Sequence, residues 1–102
     1  MPRVSVTVPH NYPPEDVIQR AAPHMEKMVE DFEGKDFDLT WTGNHGDFSF
    51  VSLIFQIKGD IDVAADSITI GVDLPFAAMM FKDKVEKAIA KNLARVVAEG
   101  SA

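Results

Sequence analysis

The sequence predicts an α+β domain in which one antiparallel sheet carries a long C-terminal helix. Three observations predict it. A short alternating strand, Val4-Ser5-Val6-Thr7-Val8, runs through Pro9-His10 into a helix-forming segment. Four strand-like runs then fill the chain from Phe37 to Leu74, and the last segment is apolar on one side and basic on the other at helical spacing. Strands grouped between two helices give the order β-α-β-β-β-β-α, with the last helix laid across the sheet.

The 102 residues suit one domain, 1–102, with one modest core. Hydrophobic residues at 46% and charged residues at 25% are ordinary for a globular protein and argue against disorder. Cysteine is absent, so thiolate chemistry, disulfides and Cys-based metal centres are excluded. The start lacks the basic-then-apolar pattern of a signal peptide, and the longest apolar run falls far short of a membrane span. These features fit a cytoplasmic protein. A net charge of −6 argues against general nucleic-acid binding. The charge is uneven: Glu15 to Glu33 is mostly acidic, whereas Lys82 to Arg95 is mostly basic.

In the first strand Val4, Val6 and Val8 share a face. Asn11 is a candidate cap for the following helix, and Glu15-Asp16 suit its first turn. Ile18, Ala22, Met25, Val29 and Phe32 recur at helical spacing. Pro23 should kink or divide that helix, and Gly34 should stop it. Phe37, Leu39 and Trp41 alternate as a second strand, and Gly43-Asn44-His45-Gly46-Asp47 is turn chemistry. Phe48 and Phe50 open a third strand. Parity then slips, because Val51, Leu53, Phe55 and Ile57 are out of phase with them. A bulge or a two-faced buried segment near Val51 would account for this, and a turn is expected somewhere from Ser52 to Gln56. Ile57 to Val63 continues in one phase, Ala65-Asp66 turns, and Ile68, Ile70, Val72 and Leu74 form the last strand before Pro75. The final helix is expected from about Phe76 to Ala98. Its apolar stripe is Phe81, Val85, Ile89, Leu93 and Val96, with Lys84, Lys87, Lys91 and Arg95 nearly opposite.

Phe76-Ala77-Ala78-Met79-Met80-Phe81 is apolar all round. It is either a contact surface or a first turn buried under the sheet. The basic stripe is either an anion-facing surface or a solvated helix face. His10, His24 and His45 lack metal-ligand spacing, and His10 is the candidate polar site, with a structural role the ordinary reading. Asp60, Asp62 and Asp66 lack the rest of a calcium loop. No metal or cofactor is therefore expected. Trp41 is a core residue or a stacking platform. Pro2, if freed by removal of Met1, would offer a tautomerase-like general base, although four strands between the helices break the βαβ repeat of that family.

The strand ending at His10, Trp41 followed by Gly43, Phe48-Ser49-Phe50, Gly59-Asp60-Ile61-Asp62-Val63, and the helix with Val85-Glu86, Ile89 and Leu93 occur in an order that resembles the "putative polyhydroxyalkanoic acid system protein" family. The resemblance implies an association with polyhydroxyalkanoate granule genes in bacteria and brings no reaction with it. It also implies a curved sheet gripping the last helix, similar to a shortened lipid-binding helix-grip fold. The expected function is a non-enzymatic accessory protein of the granule system. Its contact surface would comprise Phe76, Met79, Met80, Phe81 and Trp41, with Lys84, Lys87, Lys91 and Arg95 at the polar boundary. Two alternatives remain. One is a carrier for a small hydrophobic acyl or lipid ligand, lined by Phe48, Phe50, Trp41 and Met79. The other is a homodimer through the apolar turn.

Overall fold

The computed structural model describes residues 3–99, and for positions 98 and 99 only the backbone. Pro2 lies outside the described residues. The order is β1 (Arg3–Pro9), α1 (Pro14–Asp31), β2 (Gly34–Thr42), β3 (His45–Ser52), β4 (Phe55–Val63), β5 (Ser67–Asp73), a 3₁₀ segment (Phe76–Phe81) and α2 (Lys82–Glu99). The five strands form one antiparallel sheet in the order β1-β5-β4-β3-β2. This is the predicted α+β fold.

Register follows from which side chains can be buried. Val4, Val6 and Val8 oppose Val72, Ile70 and Ile68, and Ile61 opposes Ile70. These apolar rows face the helices. Both helices lie on that face: α1 packs on β2 and β4, and α2 packs on β1 and on α1. The cover is therefore shared, whereas the sequence suggested the last helix alone. Val17, Ala21, Met25 and Met28 of α1 meet Ile89, Leu93 and Val96 of α2 within the same core. The other sheet face carries no helix among the described residues and is polar.

Several expectations are corrected. Helix α1 starts after Pro13, which makes no side-chain cap bond, so Asn11 is not the cap. The helix runs undivided through Pro23, because Pro23 and Gln19 lie on the exposed face. The carbonyl that loses its donor there can meet solvent. It ends one residue earlier than Gly34 suggested: Glu33 takes the left-handed conformation at φ 55°. Gly34 is needed instead for close approach, since a Cβ there would lie 2.6 Å from Val29 Cγ1. His45, Gly46 and Asp47 are paired in β3, leaving Gly43-Asn44 as a two-residue turn. The parity slip is a tight hairpin, not a bulge: Ser52 pairs with Phe55 across Leu53-Ile54. The irregularity lies in β2, between Lys35 and Asp38. The first six residues of the expected last helix form the 3₁₀ segment, which the Ala78 N–H opens with a bond to the Pro75 carbonyl (2.9 Å).

Candidate functional site: an apolar end with a cavity behind it

Five large hydrophobic residues stand out from the described surface. They are Leu53 (63% exposed), Ile54 (89%), Phe76 (78%), Met80 (82%) and Phe81 (39%). All lie on two short segments, the β3–β4 turn and the 3₁₀ segment. These segments meet around one cavity of about 310 Å³, whose wall includes both Leu53 and Phe81. That volume is at the low end for small-molecule sites.

Each wall has a local cause. At the C-terminal end of α1, Phe32 stacks on Phe50 of β3 at 6.4 Å between centroids and 7° between planes. The Ser52 hydroxyl donates to the Phe32 carbonyl at 2.6 Å and ties the end of β3 to the helix. Phe55, Ile57, Val72, Leu74 and buried Ala78 continue the lining. Polar groups on the wall are few. Asp31, Glu33 and Lys84 are exposed and so lie on its solvent side, and Ser52 is already engaged.

The β3–β4 turn is built against local preference. A two-residue hairpin favours Gly, Asn or Asp where φ is positive. Here Leu53 holds φ 57°, and both it and Ile54 are mostly exposed. A leucine in that conformation costs about 1–2 kcal/mol.

The expected contact residues fall into two groups. Phe76, Met80 and Phe81 are exposed at this end, so the segment is not a turn buried under the sheet. Met79 is half-buried against the core, and Trp41 packs over Gly46; neither lines the cavity. Of the residues suggested to line a carrier, only Phe50 does so, while Phe48 is a core residue seated over Gly59. Sequence reading missed Leu53 and Ile54. The available signal was the pair of apolar residues at the point where strand parity changes. In the basic stripe Lys84 reaches the cavity wall, Lys87 and Lys91 are exposed, and Arg95 is half-buried.

His10 is buried and both its ring nitrogens are engaged. Nδ1 accepts the Tyr12 N–H (3.2 Å), so Nε2–H donates to the Ala64 carbonyl (2.9 Å). It locks the β1–α1 connection to the β4–β5 turn. Asp66 sits in that turn, its carbonyl accepting the His10 N–H.

On the helix-free face, Arg3 pairs with Asp60 and with Asp73 (3.0 Å), joining β1, β5 and β4. The His45 ring lies 2.6 Å from Asp62 and 3.1 Å from Asp47. Chiefly through Asp62 and then Asp47, its pKa is raised above the ordinary value. His45, Asp47 and Asp60 bring possible ligand atoms within 4.8 Å of one another. Asp60 is engaged by Arg3 and Asp47 by His45, so the cluster is an ion-pair lattice across the strands.

No helix among the described residues is long and apolar enough to cross a membrane. No curated protein matches the sequence. Among solved structures, the chain is similar to TTHA0849 from Thermus thermophilus, at 12% identity and a TM-score of 0.45, over 99% of this chain and 100% of that one. The model of the family described as "putative polyhydroxyalkanoic acid system protein" matches residues 4–97, almost the whole chain, and the protein belongs to that family.

Proposed function

We propose that the protein is a non-enzymatic accessory of the polyhydroxyalkanoate system that seats its apolar end on the polyester surface. One observation carries the reading: the five exposed large hydrophobics of the described surface lie on two short segments, and Leu53 of one and Phe81 of the other line the same cavity. Scattered apolar residues are ordinary, whereas a gathered patch marks a contact. Leu53, Ile54, Phe76, Met80 and Phe81 are the contact residues. Lys84, Lys87 and Lys91 run back from the patch along α2 and keep the adjoining helix surface wet.

The test is co-sedimentation with washed polyhydroxybutyrate granules. Fully burying one such side chain contributes about 1.5–3 kcal/mol. The Met80→Ser/Phe81→Ser variant should therefore associate about a hundredfold more weakly while still unfolding cooperatively, at a somewhat lower denaturant midpoint because Phe81 is only 39% exposed. A folded double variant that pellets like the wild type would sink this assignment. A second reading, a carrier of a single acyl ligand, is favoured by the cavity. Native mass spectrometry of freshly purified protein would reveal a retained lipid as added mass.

A further inference from the structure

The cavity and its mouth differ in chemistry, and that difference constrains what enters. The interior is aromatic and aliphatic: Phe32, Phe50, Ile57 and Leu74 offer no hydrogen bond to a ligand's polar group. The charged groups of the wall are Asp31, Glu33 and Lys84, all exposed and therefore outermost. Two carboxylates against one ammonium leave the mouth with a net negative charge. A free fatty acid would place its own carboxylate against Asp31 and Glu33, and like charges at close range repel even on the solvent side of the mouth. An uncharged head avoids this. A hydroxyl can donate to either carboxylate, and an ester carbonyl can accept from the Lys84 ammonium.

We propose that this cavity is a binding site for one uncharged hydroxyacyl ester, its hydrocarbon part inside and its hydroxyl and ester groups among Asp31, Glu33 and Lys84. The inference rests on the reading that the apolar end meets polyester, and it names what the cavity takes there: a single hydroxyl-bearing ester unit of the same chemistry as the polymer. The rim patch would hold the surface, and the cavity would hold one unit.

The probes are methyl 3-hydroxyoctanoate, sodium octanoate and octylammonium chloride, titrated calorimetrically into the full chain near neutral pH. The ester should bind at least about tenfold more tightly than octanoate, a free-energy difference of about 1.4 kcal/mol. In the Asp31→Asn/Glu33→Asn variant that preference should shrink or reverse, and asparagine tolerates the left-handed backbone at position 33. Ala78→Leu should fill the cavity and abolish ester binding; its denaturant midpoint reports whether it folds, and its co-sedimentation whether the neighbouring rim residues are kept in place. Octanoate or octylammonium binding as tightly as the ester overturns the proposal, as does an unchanged preference in the mouth variant. Failure to bind any probe overturns it too. Granule co-sedimentation reads the rim separately. Pelleting without ester binding removes the cavity proposal alone, and ester binding without pelleting removes the surface reading alone.

Discussion

His45 stands between two carboxylates, and both its nitrogens need to donate for the arrangement to be satisfied. Only the imidazolium can do so. Its pKa is raised, first by Asp62 and then by Asp47, above the unfolded value of about 6.5. The sign follows from linkage. The stabilisation is fully present below the unfolded pKa and is lost as pH rises through the higher folded pKa. Replacing His45 with Asn should therefore cost most below the unfolded pKa and progressively less as pH rises through the higher folded pKa. Urea titrations of both proteins across that window read the difference, and a pH-independent gap would refute the charged pairing. Asn92 makes the opposite case. It lies on the buried stripe of α2, one turn from Ile89 and Val96, and its Nδ2 donates to the Ala88 carbonyl at 2.8 Å. Its Oδ1 is buried with no hydrogen-bond partner among the described residues. A buried acceptor without a donor costs about 1–3 kcal/mol. Asn92→Leu should accordingly raise stability by about 1 kcal/mol, seen as a higher urea midpoint at unchanged slope.

The Leu53-Ile54 turn shows the same tension at the level of an element. Its backbone suits glycine or asparagine, its surroundings suit a polar residue, and it carries two exposed aliphatic side chains. Leu53→Asn should relieve the left-handed conformation and stabilise the protein by about 1 kcal/mol. The same change should weaken granule association. Opposite signs in denaturant unfolding and co-sedimentation would mark a residue kept for contact at the expense of stability; a variant that gains in stability and pellets unchanged would show that the turn is not part of the surface. The elements themselves were largely legible. Alternation in Val4–Val8 and in Ile68–Leu74, and the stripe Val85, Ile89, Leu93, Val96, each had one buried face to specify them. What was not legible depended on partners distant in sequence. The phase change between Phe50 and Ile57 becomes a two-residue turn only once Ser52 is paired with Phe55. The β2 irregularity, with Asp36 at φ 57°, carries no pattern of its own. The cavity joins Phe32, Phe50, Leu74 and Phe81 from four segments, and no local periodicity reports such a meeting.

At the scale of the whole molecule, three surfaces differ in kind. The sheet face opposite the helices is polar and rich in aspartate: Asp38, Asp47, Asp60, Asp62 and Asp73 share it with Arg3, His45 and Lys58. Helix α2 presents the exposed lysines, and the end bearing Leu53 and Phe81 is apolar. These surfaces make distinct demands on a granule assay. If the lysine stripe held the surface, association would collapse as salt rises, because the screening length falls from about 10 Å at 0.1 M to about 3 Å at 1 M. If the apolar end holds it, binding should persist at about 1 M salt, since burying apolar area does not depend on screening. Reversing charge on the open sheet face supplies the spatial control. Asp47→Lys removes a carboxylate from the face opposite the helices and frees one side of His45, and it leaves the five rim residues in place. It should shift stability modestly and leave the pelleted fraction at high salt unchanged. Salt-sensitive pelleting of the wild type, or a loss in Asp47→Lys matching that of Met80→Ser/Phe81→Ser, would move the contact away from the apolar end to the charged surfaces.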